Sequence, residues 1–482
     1  MSAPIVWGVI PLLVAVGLLA LRRWEKQVTS AGAVLMLVLA GSVWALPVNK
    51  AVHVGPWTLR VQDVWEVFGR RFVVADADRG VVALIYMLAG FWFLGALAAR
   101  PGKLFVPLAM MTVILWMGAL AVEPFLYAAL FLEIAMIVTV PFLRPPGREA
   151  GPGVLRYLSF QTLGLPFILF TGWMLGQVTP DLADPGQVVL PATLVGFGFA
   201  LLLAVFPFHS WMPMLAEEAH PYVVAFLFFM HPFVVGLFGL GFLNEFSWLR
   251  NAPAVYALLR GVGFSMTVAG GVWAAFDFSA RRRFLTQKVR HLGRLMGFAT
   301  VVTTGISLLA ISEGHRVGLE VFFGLMVPRA FIFLVWALAL TVLESQTGTL
   351  DFSALQGTGR KYPITAAVLV VAQLAVAGFP LLAGFPLRIA LLAQLAETNL
   401  LGAFGVMIGG LGLLVAALRV LAVLVMSPAG EVPNEMVHSP ELLGKRIWLL
   451  VGLVGLVLLG LFPQWLTPLI SRLPAAFPGL GG

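Results

Sequence analysis

The chain has no cysteine, few charged residues and no clustered histidines. Without cysteine it forms no disulfide and offers no thiolate ligands to an iron–sulfur cluster; CxxCH, the haem-attachment motif, is absent too. Its seven histidines show no metal-ligand spacing. No cofactor is therefore expected in this chain, and any electron transfer belongs to another subunit. Charged residues make up 11% of the sequence, against roughly 25% in a soluble chain. What fills their place is apolar: 60% of residues are hydrophobic and the mean hydropathy is +0.98. Runs of about 18 or more apolar residues recur from end to end, each long enough to cross a hydrocarbon core about 30 Å thick. This pattern predicts an all-α, polytopic membrane protein. The first run, 5–21, lacks a basic leader and a small-residue cleavage site, so it reads as a span, not a signal peptide.

Candidate spans fall near 4–21, 31–47, 81–98, 104–122, 124–143, 154–177, 188–206, 222–243, 254–277, 295–312, 318–343, 363–385, 399–426 and 447–470, about fourteen helices. Between the second and third, the segment 51–80 carries Trp57, Trp65, Arg70 and Arg71. It is too polar to cross and reads as an extramembrane loop, a hairpin or an interfacial piece. Trp57, Trp173, Trp211, Trp248, Trp448 and Trp465 lie near span ends, as in an interfacial aromatic belt.

Basic residues collect in alternate loops: Arg22, Arg23 and Lys26; Arg100 and Lys103; Arg144 and Arg148; Arg281, Arg282, Arg283, Lys288, Arg290 and Arg294; Arg360 and Lys361; Lys445 and Arg446. The other loops are mixed or acidic, as at Asp181 and Asp184. The positive-inside rule puts the basic loops in the cytoplasm and both termini on the non-cytoplasmic side of a cell (inner) membrane. The net charge of +8 then reflects topology and anionic headgroups, and the 281–294 cluster is a solvated loop, not a nucleic-acid site.

One acid stands out. Glu133 is the only charge in the apolar run 125–142. A carboxylate at that depth costs several kcal/mol unless paired, hydrated or protonated, so it reads first as part of an ion path. The alternative is a packing carboxyl kept neutral by a neighbouring hydroxyl or by backbone. Two Pro/Gly-rich stretches, 206–213 (FPFHSWMP) and 378–386 (GFPLLAGFP), should break helices. A single such site is commonly a simple kink. Two, five spans apart, point to an ion site in a repeat transporter, because freed carbonyls inside a membrane need a protein or hydrated partner. Pro207, Pro232, Pro380 and Pro386 are the breaking prolines.

The motifs FPFHSWMP (206–213), TGTLDFSAL, GRKYPITAA and AGFPLLAGF (across 347–385), LGRLMGFATVVTTGISLL (292–309) and Ala417-Leu418-Arg419-Val420 together resemble the antiporter-like subunits of respiratory complex I, a family shared with multi-subunit sodium/proton antiporters and membrane-bound hydrogenases. The resemblance covers nearly the whole chain and is closer to the M- or N-type subunits than to the distal member with its lateral helix. It implies fourteen helices, with spans 4–8 and 9–13 as inverted five-helix repeats and spans 7 and 12 broken. The organisation expected is 1–103 (spans 1–3, with 51–80 outside the membrane), 104–243 and 254–426 (the repeats), and 427–482 (the last span).

The resemblance also implies a proton path. The family's fifth-span glutamate falls on Glu133, but its seventh-span lysine falls on Leu202. The eighth-span lysine falls on His231, and the glutamate after the tryptophan–proline motif on Glu218. The family's tenth-to-eleventh-span lysine falls on Arg329, its twelfth-span lysine or glutamate on Arg388, and a family arginine on Arg419. Arginine is not deprotonated in proteins, so Arg329 and Arg388 are expected to be fixed cations that modulate charge and do not relay protons. The relay would run through Glu133, His231, His209 and Glu218. His231 precedes Pro232 and reads equally as a helix-break histidine bonded to a freed carbonyl. His209 reads equally as an interfacial or capping residue, and Glu217 as solvated surface. The function implied is a proton-translocating subunit of a redox-driven complex, a translocase related to NADH-quinone oxidoreductase, partnered by membrane subunits, by lipid, and by redox subunits that hold the iron–sulfur clusters or quinone site. The alternatives are a non-conducting docking subunit, or a relative coupling ion flux to uptake of a small solute such as inorganic carbon.

Overall fold

The computed structural model describes residues 2–54, 57–144, 147, 149–175, 185–276, 291–426 and 443–480. The basic cluster at 281–290, with Arg148, Asp181 and Asp184, lies outside the described residues. Apolar runs without internal polar partners must form helices in a bilayer, where every backbone N–H needs an intrachain acceptor. The helices are α1 Ile5–Ala20, α2 Glu25–Ala45, α3 Arg79–Ala99, α4 Phe105–Ala121, α5 Ala128–Leu143, α6 Pro152–Leu175, α7 Pro185–Leu202, α8 Trp211–Glu218 and α9 Pro221–Glu245. They continue with α10 Pro253–Phe276, α11 Arg294–Ser312, α12 His315–Thr347, α13 Pro363–Ala377, α14 Phe385–Thr398, α15 Leu400–Val425 and α16 Leu443–Leu461. Among the described residues, ten helices are long and apolar enough to cross a membrane, and α1, α4, α13 and the stretch Val188–Leu202 are shorter apolar helices.

The helix boundaries differ from the sequence reading where chemistry intervenes. The second helix starts at Glu25, not near 31, with an acid in its first turn where the helix dipole favours one. The seventh span stops at Leu202 and resumes as α8; the twelfth stops at Ala377 and resumes as α14. The last helix ends at Leu461, since Pro463 lacks the N–H to continue it, and only short turns follow. The run 4–8 of spans (α4, α5, α6, broken α7–α8, α9) is thus repeated in element order by α10, α11, α12, broken α13–α14 and α15.

The halves meet through α8, which packs on α11, and through α9, which packs on α12. With 33 residues α12 is the longest helix among the described residues. At 1.5 Å per residue it spans about 50 Å, more than the hydrocarbon core. Its neighbours include α3, α9, α11, α13, α14 and α16. Where α10 meets α15 the backbones nearly touch: a Cβ on Gly271 would lie 2.7 Å from the Gly409 Cα, and one on Gly412 would run into the Gly271 carbonyl. Small residues permit that approach, as they do generally between membrane helices.

The segment 51–80 forms two hairpins. β1 Ala51–Val54 pairs with β2 Trp57–Arg60, while β3 Val64–Val67, β4 Arg70–Val73 and β5 Val122–Glu123 form a second sheet. Arg71 lies between Glu66 (3.6 Å) and Glu123 (3.7 Å), and the Arg70 guanidinium sits 3.9 Å from the Tyr127 ring centre. Asp76 accepts the Val48 N–H at 2.9 Å and an Arg79 N–H at 2.8 Å. The backbone N–H foremost, and Arg79 beside it, hold the Asp76 carboxyl below the usual aspartate value.

Candidate functional site

The site begins at the break in the seventh span. After Leu202 the chain tightens, with Ala204 in the left-handed region at φ 54° and Val205 N donating to Ala200 O. A 3₁₀ turn, Phe208–Ser210, then leads into α8. The Leu202 carbonyl accepts from two side chains: His231 Nε2 at 3.0 Å from α9 and Gln161 Nε2 at 3.2 Å from α6. Since a carbonyl only accepts, Nε2 of His231 carries the hydrogen and Nδ1 is the basic nitrogen of the neutral ring. His231 is 5% exposed and faces the Trp116 ring at 6.1 Å. At the position where the resemblance expects a lysine, the backbone of Leu202 is therefore the polar group.

Glu133 is not deep in the bundle. It lies on the rim of α5, half-buried, beside the exposed Leu130, Ile134 and Ile137. Its Oε1 accepts the Thr162 hydroxyl at 3.2 Å. Six residues further along α5, on its buried face, the Thr139 hydroxyl lies 3.1 Å from the Tyr157 hydroxyl of α6. The adjacent residues Gln161 and Thr162 thus connect two sites: Thr162 reaches Glu133, and Gln161 reaches the carbonyl that His231 also holds. Among the described residues no hydrogen bond joins Glu133 to His231 directly.

In the second half, Arg329 on α12 and Arg388 on α14 are 6% and 8% exposed. Arg329 donates to the Phe228 carbonyl (3.4 Å) and the Thr304 hydroxyl (3.2 Å). The Phe228 carbonyl is free because its partner four residues on is Pro232, which has no N–H. Arg388 donates to the carbonyls of Val376 (2.6 Å) and Ala377, the last residues of α13. A cation there also meets the negative end of the helix dipole. Arg419 likewise donates to the Ala275 carbonyl at the end of α10. His231, Arg329, Arg388 and Arg419 share one local logic: each bonds a carbonyl left over by a proline or a helix end.

The remaining predicted residues sit at the edges. His209 stacks on Trp273 of α10 at 4.0 Å and 9°, and on Phe206 at 5.8 Å. Both Glu218 oxygens accept the Gly153 N–H, at 2.9 and 2.8 Å, at the start of α6. That is an anion at a helix N-terminus. Glu217 pairs with Arg294 at 2.9 Å, at the surface expected of it. Pro232 lies inside α9, Pro386 in the first turn of α14, and Pro207 and Pro380 in the two breaks.

This geometry coincides with a family match. The model of the family described as "NADH:quinone oxidoreductase/Mrp antiporter, TM" matches residues 160–415. The chain belongs to this family. NADH-quinone oxidoreductase subunit 13 of Thermus thermophilus is 28% identical over 326 residues, 64% of this chain and 66% of that protein. Among solved structures, a chain of the Mrp complex from Dietzia sp. superposes with a TM-score of 0.79 at 17% identity, covering 99% of this chain and 97% of that one. A chain of respiratory complex I from Thermus thermophilus with bound NADH gives 0.74 at 20% identity, covering 98% and 100%. The protein is thus an antiporter-like, multi-span membrane subunit, and its relatives are subunits of multi-subunit membrane complexes. The matched stretch of the family contains Gln161, Leu202, His231, Arg329 and Arg388, while Glu133 lies before it.

Gln161, Thr162, Thr304 and the Phe228 carbonyl were not foreseen from the sequence. Gln161-Thr162 is an adjacent amide and hydroxyl within an apolar span, a weak signal that was present. The Phe228 carbonyl carries no side-chain signature at all.

Proposed function

We propose that the chain is the proton-translocating subunit of a redox-driven complex in the inner membrane, with both termini on the non-cytoplasmic side. Redox subunits bearing iron–sulfur clusters or a quinone site are its proposed partners, and no cofactor is assigned to this chain. The observation that carries the reading is the polar string from Glu133 through Thr162 and Gln161 to the Leu202 carbonyl and His231. His231 and Gln161 also satisfy the open end of α7, but Glu133 and Thr162 bond no helix end, and an acid so placed in a membrane helix is what a proton path needs.

In this reading Glu133 takes up or releases a proton at the rim of α5, and ordered water joins it to the Nδ1 side of His231. His209 and Glu218 serve the cytoplasmic part of the path. Arg329 and Arg388 stay charged and set the field in which the acid and the histidine titrate. The half-exposed carboxyl of Glu133 on an apolar face calls for a neighbouring membrane subunit to cover it, because lipid would not solvate it.

The test is Glu133→Gln in the reconstituted complex. Proton pumping should fall while assembly and electron transfer persist; pumping at unchanged stoichiometry with normal assembly would remove Glu133 from the path. The bonding of His231, Arg329 and Arg388 to helix-end carbonyls favours a second reading, a non-conducting subunit that docks neighbours. On that reading Glu133→Gln leaves pumping intact and His231→Leu impairs assembly instead.

A further inference from the structure

Arg329 and Arg388 line one cavity of about 40 Å³ between α11, α12, α13 and α14. Thr303, Ser307 and Gly384 lie on its wall, the other lining residues are apolar or backbone, and no Asp or Glu lines it. We propose that this cavity is a binding site for a small monovalent inorganic anion, held between the two guanidiniums.

Charge is the first argument. Both arginines are more than nine-tenths buried, and an isolated buried ion is strongly disfavoured unless a counter-charge or dense hydrogen bonding offsets it. Neither arginine is in any of the described ion pairs, which all involve exposed or part-exposed residues. Deprotonation offers no escape, as it would for lysine.

Hydrogen bonding is the second. A guanidinium has five N–H donors. Arg329 uses two, on Phe228 and Thr304, and Arg388 uses two, on Val376 and Ala377, so three remain on each. The Arg329 Nε is buried without any partner among the described residues. The wall hydroxyls do not compete for these donors' role. Thr303 already donates to Ala299, and Ser307 to Thr303. The site therefore combines surplus donors and surplus positive charge around a small, partly open volume.

Size is the third. A water needs roughly 10–15 Å³ of such space, so this cavity of about 40 Å³ admits about three or four water-sized centres. A halide or a three-oxygen monovalent anion such as bicarbonate fits; a gluconate does not. The inference stands on the second half of the chain and does not depend on proton transfer through Glu133.

The test uses the full-length chain in nanodiscs. Thermal midpoints are measured in sodium chloride, bromide and bicarbonate against sodium gluconate at matched ionic strength and pH, and the density is determined in bromide. The expectation is a saturable rise in midpoint with the small anions and a bromide peak between Arg329 and Arg388. Arg329→Gln should weaken the apparent affinity by about ten- to a hundredfold, as loss of a charged hydrogen-bonding partner does. Ser307→Leu, which fills the cavity while keeping both cations, should abolish the saturable effect and the peak. Competition of chloride or of bicarbonate with bromide identifies which anion the site prefers. Water alone at that position, or an anion effect equal in wild type and Ser307→Leu, overturns the proposal. Should Arg329→Gln fail to fold, Ser307→Leu and the bromide density still decide.

Discussion

The double acceptance at Leu202 makes a quantitative test of the broken seventh span. One carbonyl is held by two independent donors, His231 Nε2 at 3.0 Å and Gln161 Nε2 at 3.2 Å. Replacing either with leucine removes one hydrogen bond, worth about 0.5–1.5 kcal/mol net, yet leaves the carbonyl satisfied by the other. Gln161→Leu should cost least, because the Gln161 Oε1 is buried without a partner and its loss relieves a penalty. Replacing both strands a buried carbonyl, and that adds the desolvation cost of about 1–3 kcal/mol. The double variant should therefore be less stable than the sum of the singles by about 1–3 kcal/mol. The assay is reversible unfolding in mixed micelles for the four members of the cycle. Additivity within about 0.5 kcal/mol, the range for independent sites, would refute the claim that these two side chains share the end of α7.

Arg388→Met should destabilise the chain by about 2–4 kcal/mol, since two carbonyls at the end of α13 lose their donor and removing the buried charge offsets only part of that; Arg388→Lys should recover part of the loss in the same unfolding assay. Gly412→Val should push α15 away from α10 and cost about 1–3 kcal/mol or more by overpacking, read as a lower thermal midpoint, with Gly348→Ala unsuitable as a control because Gly348 has φ 76°.

The pH dependence of stability should show two separable steps below neutrality. Burial foremost holds the His291 imidazole below its ordinary value, although Glu217 and Asp351 pull the other way, and its Nδ1 accepts the Gly293 N–H at 3.2 Å. A depressed histidine is neutral when folded, so stability is full above the unfolded pKa near 6.5 and declines as pH falls below it. Asp76 is also depressed, so its contribution is present above about pH 3.9 and is lost as pH falls through its folded value. Thermal midpoints across pH should lose the first step in His291→Gln and the second in Asp76→Asn; identical profiles in variant and wild type would dismiss both assignments.

Much of the architecture was legible in the sequence because the bilayer leaves a chain few choices. Apolar runs with no aqueous partner for their backbone must be helices, and the Pro/Gly stretches at 206–213 and 378–386 marked both breaks. Period and length carried that information locally. The extent of the breaks was less legible: the sequence ran span 7 on to 206 and span 12 to 385, whereas the helices stop at Leu202 and Ala377.

The site was legible only as a set of residue types. Glu133 was singled out as a lone acid, but its place at the rim of α5, against Thr162 and away from His231, depends on how α5 is rotated against α6. No local pattern encodes that rotation, because Leu130, Ile134 and Glu133 differ by small steps around one helix. The carbonyl acceptors were invisible for a more basic reason. Every residue has a carbonyl, and only the ending of one helix beside the side chains of another decides which of them is left for His231, Arg329 or Arg388. The sequence alone determined that this is a bundle of membrane-crossing helices with buried cations and one stranded acid; the packing of those helices decided what each charge faces, because polar satisfaction inside a membrane is settled by neighbours distant in the chain.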